Sequence, residues 1–93
     1  MENMAVTKGT KLLKALANAK RLELVFLLRH KECRVGDLEA AVGLSQSALS
    51  QHLAILRTAG IVTTRRQAQS IFYSLKDKNA VKLLQLLHRM YNH

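Results

Sequence analysis

Residues 44–60, LSQSALSQHLAILRTAG, decide the fold predicted for this chain. Ser45 can cap a helix, because its side-chain oxygen accepts a hydrogen bond from a backbone N–H of the first turn. Gly60 favours the left-handed conformation that commonly ends a helix. At about 100° per residue, one stripe of this helix consists of leucines: Leu49, Leu53 and Leu56. The stretch therefore predicts a helix that packs on a hydrophobic core through its leucine stripe.

The other side of the same helix is polar and contains no acidic residue. It presents Ser47, Ser50, Gln51, Ala54 and Thr58, with Gln46 and Arg57 at its edge. A solvated helix face usually carries Glu and Lys, whereas Ser and Gln donate and accept hydrogen bonds with little bulk. This composition favours contact with base edges and phosphates. The alternative interpretation is an exposed face that happens to lack charge.

The residues before this helix predict a helix-turn-helix motif over residues 35–59. A short helix is predicted by apolar residues with helical spacing: Val35, Leu38, Ala41 and Val42. Gly43 is expected to end it. Arg34 stands where Ser or Thr would normally cap this helix, and Asp37 in the first turn can offset the missing cap.

A β-hairpin is predicted over residues 61–75. Residues 61–66 and 70–75 are rich in β-branched and aromatic types, and Gln67, Ala68 and Gln69 separate them. Arg65 and Arg66 near the tip favour a wing that contacts the phosphate backbone or the minor groove. The alternative is a hairpin that only stabilises the fold and carries solvated charges.

Helices are also predicted at both ends of the chain. A flexible arm over residues 1–7 precedes a helix over residues 8–17, and a second, largely apolar helix covers residues 19–29. Asp77 can cap a last helix over residues 78–91. The terminal helices carry more apolar residues than one core contact needs, which predicts a homodimer through the first and last helices. The predicted fold is one mainly α domain over residues 1–93, a winged helix-turn-helix of order α-α-α-α-β-β-α.

The charge balance favours double-stranded DNA as the partner. Fifteen Lys and Arg against six Asp and Glu give a net charge of +9, and no acid occurs from Ala40 to Lys76.

The longest apolar run, residues 24–28, is too short to cross a membrane. The N-terminus lacks the pattern of a signal peptide and the single cysteine agrees with a reducing compartment, so a cytoplasmic location is predicted. Neither an enzyme nor a cofactor is predicted, because paired carboxylates, nucleophile–histidine arrangements and phosphate-binding glycine loops are absent from the sequence.

Three segments resemble the ArsR family of bacterial winged-helix repressors: residues 16–22 (LANAKRL), 44–53 (LSQSALSQHL) and 66–75 (RQAQSIFYSL). The resemblance implies a dimer that binds an imperfect palindrome in its own promoter until an inducer releases it. From the recognition helix it implies DNA contacts by Gln46, Ser47, Ser50, Gln51 and His52. From the wing it implies contacts by Arg65, Arg66, Gln67 and Gln69. A phosphate contact is also expected from Arg57, while His52 is equally compatible with half-buried packing.

The metal sites that the resemblance implies are incomplete in this chain. The family's cysteine box on the third helix corresponds to residues 32–38 (ECRVGDL), where Arg34 and Gly36 replace the two ligand cysteines. In a second kind of site, on the last helix, Asp77 and His93 match two of four ligands. Two ligands hold zinc poorly, so no metal is expected and this pair gives only weak candidates. His88 is expected to be a surface or interface side chain.

Cys33, the single cysteine of the sequence, is the candidate residue for redox sensing. The cysteine pair of the family's thiol sensors is replaced by Phe26 and Asn92. A free cysteine is most often a small buried hydrophobe, but Lys31 and Arg34 nearby can lower a thiol pKa.

The predicted function is a sequence-specific DNA-binding repressor. One alternative is a redox or ligand sensor that acts through Cys33 or a dimer-interface pocket. The others are an activator that displaces another repressor, and a module that binds a partner protein through its last helix. The inducer, the operator and the target genes are not predicted.

Overall fold

Residues 3–92, the part of the chain that the computed structural model describes, form five α-helices and three β-strands. In chain order these are α1 (Met4–Leu16), α2 (Ala19–Leu28), β1 (Cys33–Arg34), α3 (Val35–Val42), α4 (Gln46–Thr58), β2 (Val62–Gln67), β3 (Ser70–Leu75) and α5 (Lys78–Tyr91). Helices α3 and α4 form the helix-turn-helix, and β2 and β3 form the wing. The predicted winged helix-turn-helix fold is confirmed.

Short-range capping determines where the functional helices begin and end. Ser45 Oγ accepts a hydrogen bond from the Ala48 N–H at 3.2 Å, and Asp77 Oδ1 accepts one from the Asn79 N–H at 2.8 Å. Gly43 follows α3 with φ +66°, a conformation that glycine adopts without a Cβ clash. These three predicted caps are therefore confirmed.

Helix α1 begins earlier than predicted. The Asn3 side chain accepts a hydrogen bond from the Ala5 N–H at 2.9 Å, so helical hydrogen bonding starts at Met4. The flexible arm expected over residues 1–7 is therefore wrong from Asn3 onward, and its first two residues lie outside the described residues. The cause is a local signal, because asparagine is among the strongest N-capping residues.

Strand β1 is an element that the sequence patterns did not predict. Cys33 pairs with Tyr73 and Arg34 with Phe72, both antiparallel, so the hairpin becomes a three-stranded sheet of order β1-β3-β2. Two residues are too few to show an alternating pattern, and they become a strand only because β3 lies beside them. Strand β2 also extends to Gln67, so the turn is shorter than predicted.

The core lies between the helices and the base of the wing. The leucine stripe of α4 is buried, as predicted, with Leu49 and Leu56 at 0% and Leu53 at 2% exposure. Buried side chains from each other helix and from the start of β2 complete this core, among them Leu16, Leu24, Leu38, Leu84 and Val62. This packing holds α4 so that its polar face points outward.

Among the helices of residues 3–92, none has the length and apolarity needed to cross a bilayer.

Candidate nucleic-acid interface

The exposed face of α4 presents polar side chains that have no partner among residues 3–92. Gln46, Ser47, Ser50 and Gln51 are exposed, and within residues 3–92 their side chains form no hydrogen bond or ion pair. Because the leucine stripe anchors the opposite side, these donors and acceptors point to solvent in one group. A helix face of this kind can contact base edges in a major groove.

His52 lies at the edge of this face and is half-buried. Its Nδ1 is 3.3 Å from Arg21 Nη1, and a guanidinium can only donate hydrogen bonds. Nδ1 therefore accepts, which leaves the ring proton on Nε2. Arg21 is itself held at the end of α1, where it donates to the carbonyls of Ala15 at 2.6 Å and Lys14 at 3.3 Å. The sequence reasoning missed Arg21, although its motif was among the segments that carried the resemblance.

The two wing arginines lie on opposite faces of the hairpin. Side chains alternate along a strand, so Arg66 shares a face with buried Val62, while Arg65 lies on the other face. The cross-strand neighbours differ accordingly, because Arg66 is opposite Ile71 and Arg65 is opposite Phe72. The Arg66 side chain is exposed and has no partner within residues 3–92.

The Arg65 side chain forms hydrogen bonds and a cation–π contact within the protein. Its Nε donates to the two carboxylate oxygens of Glu32 at 2.9 and 3.1 Å, and Nη2 donates to Glu32 Oε1. Its Nη1 donates to Gln67 Oε1 at 3.0 Å, and its Cζ lies 4.4 Å from the centroid of the Phe72 ring. The hydrogen bonds from Arg65 lower the pKa of Glu32, so the Glu32 carboxyl is ionised at neutral pH. The sequence from Ala40 to Lys76 contains no acid, but the fold brings Glu32 to the wing.

A groove of about 440 Å³ separates the wing from the helix-turn-helix. Gln69 and Ile71 line it from the wing, Gln46 from the start of α4, and Arg34 and Asp37 from the start of α3. Arg34 gives α3 no side-chain cap, as expected, and its Nε lies 3.6 Å from Asp37 Oδ2. Of the predicted DNA contacts, Gln46 from the helix and Gln69 from the wing line this groove.

The candidate metal residues do not form a cluster in the described chain. Within residues 3–92 no three His, Cys, Asp or Glu side chains are grouped to hold an ion. Asp77 caps α5, and its predicted companion His93 lies outside the described residues. His88 is exposed.

Cys33 is half-buried, and its Sγ donates to the Lys31 carbonyl at 3.5 Å. Burial raises the pKa of the Cys33 thiol; Lys31 lowers it by less, and Asp37 raises it further. Lys31 thus acts in the expected direction, but burial outweighs it and the net shift of the Cys33 pKa is upward.

Known proteins share both this sequence and this fold. The family described as bacterial regulatory protein, arsR family, matches residues 18–64, which include α2, the helix-turn-helix and the start of the wing. The chain is a member of the ArsR family. Its ArsR relatives include the transcriptional activator HlyU of Vibrio cholerae, which is 49% identical over 90% of this chain and 78% of that protein. They also include a biofilm growth-associated repressor of Agrobacterium fabrum, 45% identical over 98% and 77% of the two chains.

The solved structure of HlyU from Vibrio cholerae superposes with a TM-score of 0.94 at 44% identity, covering 99% of this chain and 100% of that one. Membership of the ArsR family agrees with the outward polar face of α4 and the wing beside it. This ArsR protein is a DNA-binding transcriptional regulator.

Proposed function

We propose that this ArsR protein binds a pseudo-palindromic operator as a homodimer, with the two α4 helices in successive major grooves about 34 Å apart. The observation that carries this proposal is the unpartnered polar face of α4. Base contacts are assigned to Gln46, Ser47, Ser50 and Gln51, which are exposed and free to donate and accept hydrogen bonds.

The proposed dimer interface consists of α1 and α5. Both helices expose large apolar side chains: Met4, Val6, Leu13, Leu86, Met90 and Tyr91. Apolar surface concentrated on two helices is typical of an interface between subunits. The surface is also on different helices from the proposed base contacts, so dimerisation leaves α4 free.

Phosphate contacts are assigned to side chains around the edges of the α4 face. Arg57 lies in the last turn of α4, and Arg66 and Gln69 lie on the wing; all three are exposed. His52 joins them through its Nε2–H, which remains a free donor when Nδ1 accepts from Arg21. The two arginines supply salt-dependent affinity, and none of these four phosphate contacts reads sequence.

Binding across a promoter favours repression as the output. Activation by displacing another repressor is the second candidate, because the 49% identical HlyU of Vibrio cholerae is named an activator. Transcription in vitro from the gene's own promoter separates the two. A repressor lowers transcription with RNA polymerase alone, whereas an anti-repressor raises it only when the competing repressor is present.

Because base contacts and phosphate contacts are assigned to different residues, Gln51→Ala and Arg66→Ala should affect DNA binding differently. Gln51→Ala should relax the preference at one base pair, by roughly 1 to 3 kcal/mol. Arg66→Ala should weaken binding to all sequences about equally and flatten the salt dependence by about one contact. Fluorescence anisotropy with a promoter fragment and its single-base variants, over a salt series, measures both. Gln85→Ala is the matched control for Gln51→Ala, and Lys31→Ala is the matched control for Arg66→Ala. An unchanged base preference in Gln51→Ala would contradict the assignment of Gln51 to a base contact.

Cys33 is predicted not to control DNA binding. A half-buried thiol with a raised pKa holds little thiolate at neutral pH, and the thiolate is the form that oxidants attack. Promoter affinity should therefore be the same for reduced protein, peroxide-treated protein and Cys33→Ser. Loss of affinity on oxidation that Cys33→Ser prevents would instead make this residue the switch.

A further inference from the structure

The contacts of Arg65 join both strands of the hairpin to Glu32, which lies outside it. Glu32 belongs to the connection between α2 and β1, Phe72 belongs to β3, and Gln67 ends β2 next to the turn. Strand β1 pairs only with Phe72 and Tyr73 of the hairpin, so the part nearer the tip is a two-stranded ribbon, which is marginally stable by itself. Its direction relative to α4 therefore depends on ties such as this one to the rest of the domain.

The same contacts make Arg65 a poor candidate for a phosphate ligand. Glu32 accepts hydrogen bonds from Nε and Nη2 of the guanidinium, and the Phe72 ring stacks against the face of the guanidinium. To reach a phosphate, Arg65 would have to leave a carboxylate that is charged at neutral pH. Arg66, on the opposite face, has no such partner within residues 3–92.

We propose that Arg65 is a positioning residue of the wing, which Glu32 and Phe72 hold so that Arg66 and Gln69 meet DNA, and that it does not contact phosphate itself. This replaces the phosphate role expected for Arg65 from the sequence. It rests on the proposed function, in which the wing contacts DNA.

Glu32→Gln distinguishes the two roles because they predict opposite signs. If Arg65 positions the wing, losing the carboxylate weakens promoter binding about two- to five-fold, the range that an exposed ion pair supports, and leaves the salt dependence unchanged. If Arg65 is a phosphate ligand restrained by Glu32, the same change releases it. Binding would then tighten, and the salt dependence would steepen by about one contact.

Two further variants complete the test. Glu39→Gln removes the same charge from α3 without touching the Arg65 contacts, so it measures the general effect of losing an acid. Arg65→Lys keeps the positive charge but loses the planar fork and the stacking on Phe72. A positioning role predicts that Arg65→Lys weakens binding as Glu32→Gln does, whereas a simple phosphate contact predicts that it binds like the wild type.

A measurement without DNA keeps this proposal separate from the proposed function. Amide hydrogen exchange and ¹⁵N relaxation of residues 67–69 report the mobility of the wing tip in the full-length protein. Glu32→Gln and Arg65→Lys should both increase that mobility, and Glu39→Gln should not. Unchanged wing amides, or tighter binding by Glu32→Gln than by Glu39→Gln, would overturn the role of Arg65. Failure of the wild type to bind promoter DNA would instead overturn the proposed function, and the wing amides would still decide whether the contact positions the hairpin.

Discussion

Leu86→Glu should lower promoter affinity by about 10²- to 10⁴-fold, the gain that joining two binding sites commonly provides. Leu86 is 44% exposed on α5, and Met90, one turn further along, is 50% exposed. In the proposed dimer a glutamate there is buried without a partner, which is strongly unfavourable. In the single chain the position is open to water, so the fold itself should survive. Analytical ultracentrifugation should show a monomer, and circular dichroism should show the wild-type helix content.

Gln85→Glu is the matched control for this prediction. It adds the same charge at the neighbouring, polar position of α5, where the side chain is exposed. This variant should remain a dimer and lose only the small affinity that one extra negative charge costs. If Leu86→Glu stays dimeric, or binds the promoter as tightly as Gln85→Glu, then α5 does not form the interface.

Leu53→Ala should destabilise the domain by about 2–5 kcal/mol, because it removes buried methyl groups and leaves a cavity. Leu53 is 2% exposed in the centre of the α4 stripe, packed with residues from the other helices. Small domains have only about 5–15 kcal/mol of total stability, so this one change is a large part of it. Urea unfolding followed by circular dichroism measures the loss, at one fixed protein concentration because dimerisation also contributes.

Ile55→Ala provides the comparison on the same helix. Ile55 is 43% exposed, so its truncation removes much less buried surface than that of Leu53 and should cost only about 1 kcal/mol. DNA affinity at low temperature, where both variants are folded, should be reduced more by Leu53→Ala, since Leu53 seats the recognition helix. Equal losses of stability at the two positions would mean that the leucine stripe is not the anchor of α4.

Short-range signals were sufficient to predict most of the fold. The Ser45 and Asp77 caps and the left-handed Gly43 depend on hydrogen bonds and torsions within a few residues. The leucine stripe of α4 follows from helical periodicity alone. The Asn3 cap is of the same local kind, so the early start of α1 could also have been predicted. Alternation along β2 likewise requires that Arg65 and Arg66 point in opposite directions.

Pairings between distant residues needed the tertiary structure. Glu32 meets Arg65 across 33 positions of sequence, and Arg21 meets His52 across 31. Strand β1 exists only where β3 is already in place. No local pattern encodes such contacts, because each depends on how the core orients helices and strands relative to one another.

The sequence by itself therefore determined that this chain has a helix with one anchored and one polar face, followed by a basic hairpin. Only the tertiary structure decided which wing arginine pairs with a carboxylate and which has no partner within residues 3–92. The physical reason is that periodicity and capping act within one or two turns, whereas the partner of a charged side chain is set by the packing of the whole domain.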